Sequence, residues 1–326
     1  MKRARIVGVV TGLLLVGCGA KVADHIDALR ESGERYVHSM LPSPERLADL
    51  YPGQEPDRGF RSRLRKDEHA RAILDADAAA VPELVRLLDD PERRTLAAVF
   101  LAEIGGEQAA TAILGRWRDL RAEVETKSVY HKVERAGGPV TWTRGQRHEG
   151  IDNEFYNELL HALCFVGGAV SAAVAADTRA AMDEAERRHA AGEDLLRKET
   201  RKEEETVELR WHAEPVETAC EGLRILAMVG APEAAPLFWR ALHSPVRSFR
   251  WTGVQEVNWI GEGAKQFLPA LGALLDDDDV RLREQVLWQL AFLLDRQGPP
   301  DPLTDEEQEK LARRYKERLR ELGHLR

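Results

Sequence analysis

Cysteine and histidine have the widest chemical reach of the side chains in this sequence, and their spacing narrows what they can do. The cysteines are Cys18, Cys164 and Cys220. A zinc site needs His and Cys ligands clustered at short intervals. The ten histidines are scattered instead, and no helical stretch carries two of them four residues apart. A nucleophile elbow of the form Gly-x-Ser-x-Gly is absent, and so is a glycine-rich phosphate loop. The sequence therefore offers no catalytic residue, no metal ligand set and no cofactor site. What remains is thiol chemistry, at one place near the N-terminus and at two positions far along the chain.

Cys18 ends the box Leu15-Val16-Gly17-Cys18, which closes an N-terminal stretch of distinctive build. A short basic head, Lys2, Arg3 and Arg5, precedes an uncharged run from Ile6 to Gly17. That run is too short to span a bilayer as a helix and has the length of a signal h-region. The combination resembles a bacterial lipoprotein signal. The resemblance implies cleavage before Cys18, acyl chains on its sulfur and new amino group, and anchoring in a cell envelope through those chains. Gly19 stands where, in that family, an aspartate would imply inner-membrane retention, so the outer membrane is favoured for a Gram-negative host.

Charge narrows the partners. The full chain carries a formal −9, and removal of residues 1–17 takes away three basic side chains and leaves −12. Such a surface repels phosphate backbones, so no nucleic-acid partner is expected. Charged residues make up 32% of the chain and aromatics 6%, with Ala, Leu, Glu and Arg abundant. This composition suits helices with solvated faces.

The helices show a repeated pattern. From Arg94, Arg250 and Arg283, three and four residues on, come Ala97-Ala98, Gly253-Val254 and Val286-Leu287. Seven on come Leu101, Val257 and Leu290, and ten on come Ile104, Ile260 and Leu293. Leu159, Leu160, Leu163 and Val166 fit the same spacing, as do Gly222, Leu223, Leu226 and Val229. Offsets of three, four, seven and ten make one apolar stripe on a helix, and Gly105, Gly167, Gly230 and Gly261 follow where such helices end. A second helix accompanies the first. Val81-Pro82-Glu83-Leu84 to Asp89-Asp90 matches Leu268-Pro269-Ala270-Leu271 to Asp276-Asp277, with proline in the first turn and acids at the end.

On these residues the chain resembles the HEAT-repeat superfamily, in particular its short bacterial phycobilisome-lyase-type form, over roughly 80–120 and 154–295. The resemblance implies an all-α fold, an α-solenoid of paired helices in which each pair buries its apolar face on its neighbours. Arg94, Arg250 and Arg283 resemble the family's ladder arginine, with acids such as Asp90 and Asp279 as partners. Some enzymes of this build resemble a di-iron hydroxylase with repeated His-Glu pairs, but His148-Glu149 is the only such pair here. A metal-dependent or cofactor-attaching enzyme on this scaffold is the alternative to a non-enzymatic one.

The expected layout follows. Residues 1–17 are a signal peptide, 18–65 a lipidated N-terminus and spacer, 66–298 the repeat array, and 299–326 a capping helix that opens with Thr304 and Glu307 as a capping box. Two insertions interrupt the array. Alternating β-branched and aromatic residues around Gly137-Gly138 predict a β-hairpin over about 127–147, and the charged stretch of about 178–210 predicts a solvated helix or helical hairpin. Cys164 and Cys220 fall seven residues apart in the repeat register, or roughly 10 Å of helix rise. A disulfide needs Cα atoms within about 7 Å, so two buried free thiols are expected.

A binding surface is sought among residues out of keeping with their register. Trp251 stands where other copies have Thr95, Asn157, Cys220 and Glu284, and Phe249 and Arg250 flank it. Trp142 and Arg144 lie on the expected hairpin. Asn258 replaces small apolar residues and needs hydrogen-bond partners, whereas Trp259 matches core positions. The function expected is a lipid-anchored envelope scaffold that binds an envelope protein through these residues.

Overall fold

Helix α1 (22–31) begins only four residues after Cys18 and is built into the fold. Val22, Ile26 and Leu29, four and three residues apart, are at most 2% exposed. The expected spacer is therefore corrected over this stretch: its first helix is docked. In the computed structural model the residues described are 22–32, 64–123, 125–133, 141–149, 153–202, 206–295 and 304–325, the strands through their backbone. Cys18, the proline-rich 41–53 and Pro299-Pro300 lie outside them. The described chain is predominantly helical, with one four-stranded antiparallel sheet, and falls into two compact units. Among the described residues no single helix is long and apolar enough to cross a membrane.

The first unit contains α1, α2 (Glu68–Ala76), α3 (Val81–Leu87), α4 (Arg94–Ile104), α5 (Gly106–Glu123) and α6 (Asn153–Val166), which runs into a 3-10 turn at Gly167–Val170. Asp67 caps α2, its carboxylate accepting from the amides of His69 and Ala70 at 2.8 and 3.0 Å. Pro82 sits in the first turn of α3, where its missing N–H costs nothing. Every residue of α4 from Ala97 to Ala102 is buried, because α3, α5 and α6 all pack on it. Gly105, at φ +73°, ends α4 in a conformation that a side chain would oppose.

An ion cluster holds α1 in place. Arg93 Nε and Nη2 each donate to one oxygen of Asp27 at 2.7 Å, and Arg93 Nη1 reaches Asp90 at 2.5 Å. Arg30 adds a contact of 3.0 Å to Glu92. The hydrogen bonds from Arg93 hold the Asp27 carboxyl below its ordinary 3.8 against the opposing effect of burial. The clamp is thus at full strength above that value and is lost as pH falls below it. Asp90 therefore pairs with Arg93 and not with Arg94, as the ladder reading had it. Arg94 lies over the Phe155 ring, 4.8 Å from its centre.

The second unit contains the sheet and helices α7 (Ser171–Ala190), α8 (Glu214–Met228), α9 (Ala234–Leu242), α10 (Arg247–Glu256), α11 (Leu268–Leu274), α12 (Val280–Leu290) and α13 (Asp305–Glu321). Strands β1 (Glu125–Val133) and β2 (Thr141–Glu149) pair antiparallel across the expected hairpin region. They are not alone. The charged stretch expected to be helical is so only to Ala190; beyond it, β3 (Leu196–Lys202) and β4 (Thr206–His212) form a second hairpin, and β4 pairs with β1. The order is β2-β1-β4-β3. Val207 to Trp211 alternates apolar with charged residues, a strand period that outweighs the charge density. Arg197, Lys198, Arg201 and Lys202 occupy the edge strand, where like charges discourage pairing with another copy.

The C-terminal helix has the expected start. Thr304 Oγ1 accepts from the Glu307 amide, and the Glu307 carboxylate accepts from the Thr304 amide at 2.8 Å. Tyr315 and Leu319 are buried, whereas Leu322, expected on the same face, is exposed. Tyr315 also donates its hydroxyl to Asp295 at 2.8 Å, tying α13 to the end of the preceding helix.

Candidate functional site

Helices α8, α10 and α12 lie side by side, α8 on α10 and α10 on α12, with their repeat positions in register. Arg250 and Arg283 make the same contact one repeat apart. Arg250 Nη1 donates to the Ser244 carbonyl at 2.9 Å and Arg283 Nη1 to the Asp277 carbonyl at 2.6 Å, each six residues back. Arg250 Nε also reaches the Asp277 carboxylate at 2.9 Å, and so joins α10 to the turn before α12. Asp279 pairs with Arg247 rather than with a ladder arginine. Burial raises the Asp279 pKa, yet the Arg247 guanidinium outweighs it and holds the carboxyl below its ordinary value.

A second set of bonds repeats at equivalent positions, with donor and acceptor exchanged between the helices. Arg224 Nε donates to Glu256 at 2.8 Å, and Gln289 Nε2 donates to the Gln255 carbonyl at 3.2 Å. Arg224 and Gln255 are equivalent positions, as are Glu256 and Gln289, so consecutive helices are bonded at one level. Asn258 donates to Gln289, which answers its need for a partner, while its Oδ1 accepts no hydrogen bond. Glu256 and Gln289 are both buried. Breaking one of these bonds leaves a buried polar group unsatisfied, at a cost of about 1–3 kcal/mol.

Against this framework the expected contact residues separate. Phe249 is fully buried, so it is corrected from a surface residue to a core residue. Arg250 is engaged by Asp277 and Ser244 and serves the framework. Trp251 is half-buried, as is Trp259, which is less enclosed than its core register implied. Trp142 and Arg144 lie on β2, opposite Lys132 and Tyr130, and their side chains are outside the described residues. The four strands carry nine Lys and Arg against four Glu, so the sheet is basic within an acidic chain.

The sequence reading missed Trp288, which is 39% exposed on α12. It stands at the position of Arg224 and Gln255, and four residues before these three come Glu284, Cys220 and Trp251. The six form a grid on three parallel helices, none of them buried. Glu284 accepts a hydrogen bond from Gln308 of α13 at 2.6 Å, which steadies its outer edge. The signal for Trp288 was available: a tryptophan outside the stripe made by Val286, Leu287 and Leu290.

Both remaining cysteines are free thiols. Cys164 is buried as expected, but Cys220 is only half-buried; its Sγ lies 3.8 Å from the Ser248 carbonyl, and desolvation of the sulfur pushes the thiol up to about 12, despite a hydrogen bond with Thr252 that works the other way. A thiol so placed is almost wholly protonated at pH 8, and the thiolate is the reactive form. Native Cys220 should label with a maleimide at least about tenfold more slowly than in the unfolded chain, since the loss of thiolate outweighs the greater nucleophilicity of a more basic sulfur. Labelling at the unfolded rate would show that the sulfur is open to solvent. The raised value also means that stability is complete below the ordinary 9.0 and declines as pH rises toward 12.

Elsewhere, His25 and His69 share a hydrogen bond between their Nδ1 atoms at 3.0 Å, joining α1 to α2. Among the described residues no three His, Cys, Asp or Glu side chains gather where they could hold a metal ion. No family model and no curated protein matches the chain. Among solved structures, a crystal structure described as that of an engineered protein aligns over 86% of this chain and 98% of its own. It is 17% identical with a TM-score of 0.23, a level that carries no structural argument.

Proposed function

We propose that this chain is a non-enzymatic, lipid-anchored scaffold of the cell envelope, an α-solenoid of HEAT-like helical pairs that binds a protein partner over the Trp251 and Trp288 grid. The observation that carries the reading is the conjunction of two tryptophans outside the core with a framework of same-level hydrogen bonds beneath them. Tryptophan and arginine supply most of the energy in protein interfaces, and a surface that does not reorganise loses less on binding. The mechanism is surface complementarity. Lipidation at Cys18 would hold the grid at a membrane, where its partner is met.

The chain from Gly19 on, which keeps every described residue, should recover a specific partner from envelope extract. Trp251→Ala with Trp288→Ala should cut that recovery at least tenfold and leave the unfolding midpoint within a few degrees of the parent. Undiminished recovery by the double variant would remove the grid from the interface. Deletion of the β1–β2 hairpin tests Trp142 and Arg144 in the same assay.

A further inference from the structure

We propose that the fold rests directly on the lipid headgroups through the N-terminal end of α1, with no spacer between anchor and domain. The proposal rests on the reading of Cys18 as acylated. Its own evidence is the docking of α1 so close in sequence to Cys18. Val22 is 2% exposed, Ile26 and Leu29 are fully buried, and the two-oxygen contact of Asp27 with Arg93 fixes the helix that carries them. Arg30 to Glu92 and His25 to His69 add two further attachments along the same helix.

Only residues 19–21 separate Cys18 from the buried Val22. Four Cα steps span at most about 14 Å when fully extended. The polar layer of one leaflet is itself roughly 5–8 Å deep. An acyl group seated in the bilayer therefore leaves Val22 within about 10 Å of the headgroup surface. Lys21 and Asp24 carry opposite charges at this end of the chain, so the contact follows from the tether and not from attraction to anionic lipid. Zwitterionic and anionic vesicles should hold the domain alike.

Asp24 is exposed on the first turn of α1 and makes a suitable probe position. In the lipidated full chain carrying Cys220→Ser, Asp24→Cys can be labelled with an environment-sensitive dye while Cys164 stays buried in the fold. Reconstituted in vesicles whose lipids carry a nitroxide at the headgroup, the dye should lose at least half of its emission. Twenty Gly and Ser residues inserted between Ala20 and Lys21 span about 25 Å on average and should restore it. An acylated, vesicle-bound protein whose dye is unquenched would overturn the proposal, as would quenching that survives the insertion. A mass spectrum without acyl chains on Cys18, together with failure to float with vesicles, would instead sink the anchor reading, and the proposal with it.

Discussion

Phe249→Ala should cost about 3–5 kcal/mol of stability, the range for removing a fully buried aromatic side chain. In a chain of this size that lowers the unfolding midpoint by roughly 6–20 °C. Two residues on, Trp251→Ala should change the midpoint by no more than a few degrees and show its effect in partner recovery. Thermal unfolding followed by circular dichroism, alongside the recovery assay, separates the two. A Phe249→Ala protein that melts with the parent and fails only in binding would return Phe249 to the surface. The contrast is useful because the two residues are near neighbours in sequence and differ in which side of α10 they occupy.

Gly222→Val should be the most damaging change at a helix crossing, with a loss of about 3 kcal/mol or more. The crossing joins α7 and α8, where a methyl on residue 222 would overlap Thr178 Oγ1 and lie 3.2 Å from its Cβ. Thr178 has nowhere to go: it is fully buried, and its hydroxyl donates to the Val174 carbonyl at 2.7 Å. On a free helix, alanine in place of glycine gains about 1 kcal/mol. Here overpacking of about 1–3 kcal/mol opposes that gain, and Gly222→Ala should be destabilising on balance. Thr178→Ala removes the obstruction, so the pair Gly222→Ala with Thr178→Ala should recover most of the loss. A double-mutant cycle in denaturant reads this as a coupling of about 1 kcal/mol or more, and additive effects would show that the helices are not in contact there.

How much of this was legible depends on the distance over which each feature is decided. The apolar stripe is local, and its spacing placed α4, α10 and α12 correctly and aligned Arg250 with Arg283, which make the same contact. Phe249 was misread although its equivalent one repeat on, Leu282, is also buried. The buried stripe begins at Phe249 and Leu282, one residue before Arg250 and Arg283. The partners of the arginines were misassigned because spacing along the chain does not fix which guanidinium an acid reaches: Asp90 and Asp279 each stand four residues before a marking arginine, yet their carboxylates meet Arg93 and Arg247. The docking of α1 depends on Arg93, 66 positions from Asp27, and no local pattern announces it. β3 and β4 were hidden by the same circumstance. The alternation of β4 is plain from Val207 to Trp211, but β3 has none, and high charge argues for a solvated helix until the partner strand, β1, is known.

The sheet also has a consequence for the order of folding. Its two hairpins each close over a short turn, whereas the pairing of His131 with Val207 encloses α6 and α7 in between. Closing a loop of roughly 75 residues costs about 2 kcal/mol more than closing one of seven. Each hairpin can therefore form by itself, but the seam of β1 and β4 forms cheaply only after the helices between them have collapsed and shortened the loop. The strands of β1 and β2 belong to the second unit, while the helices on either side of them in the chain, α5 and α6, belong to the first. The seam is thus a late event in the folding of the second unit. Amide protons that bridge β1 and β4 should be the last in the sheet to gain protection during refolding.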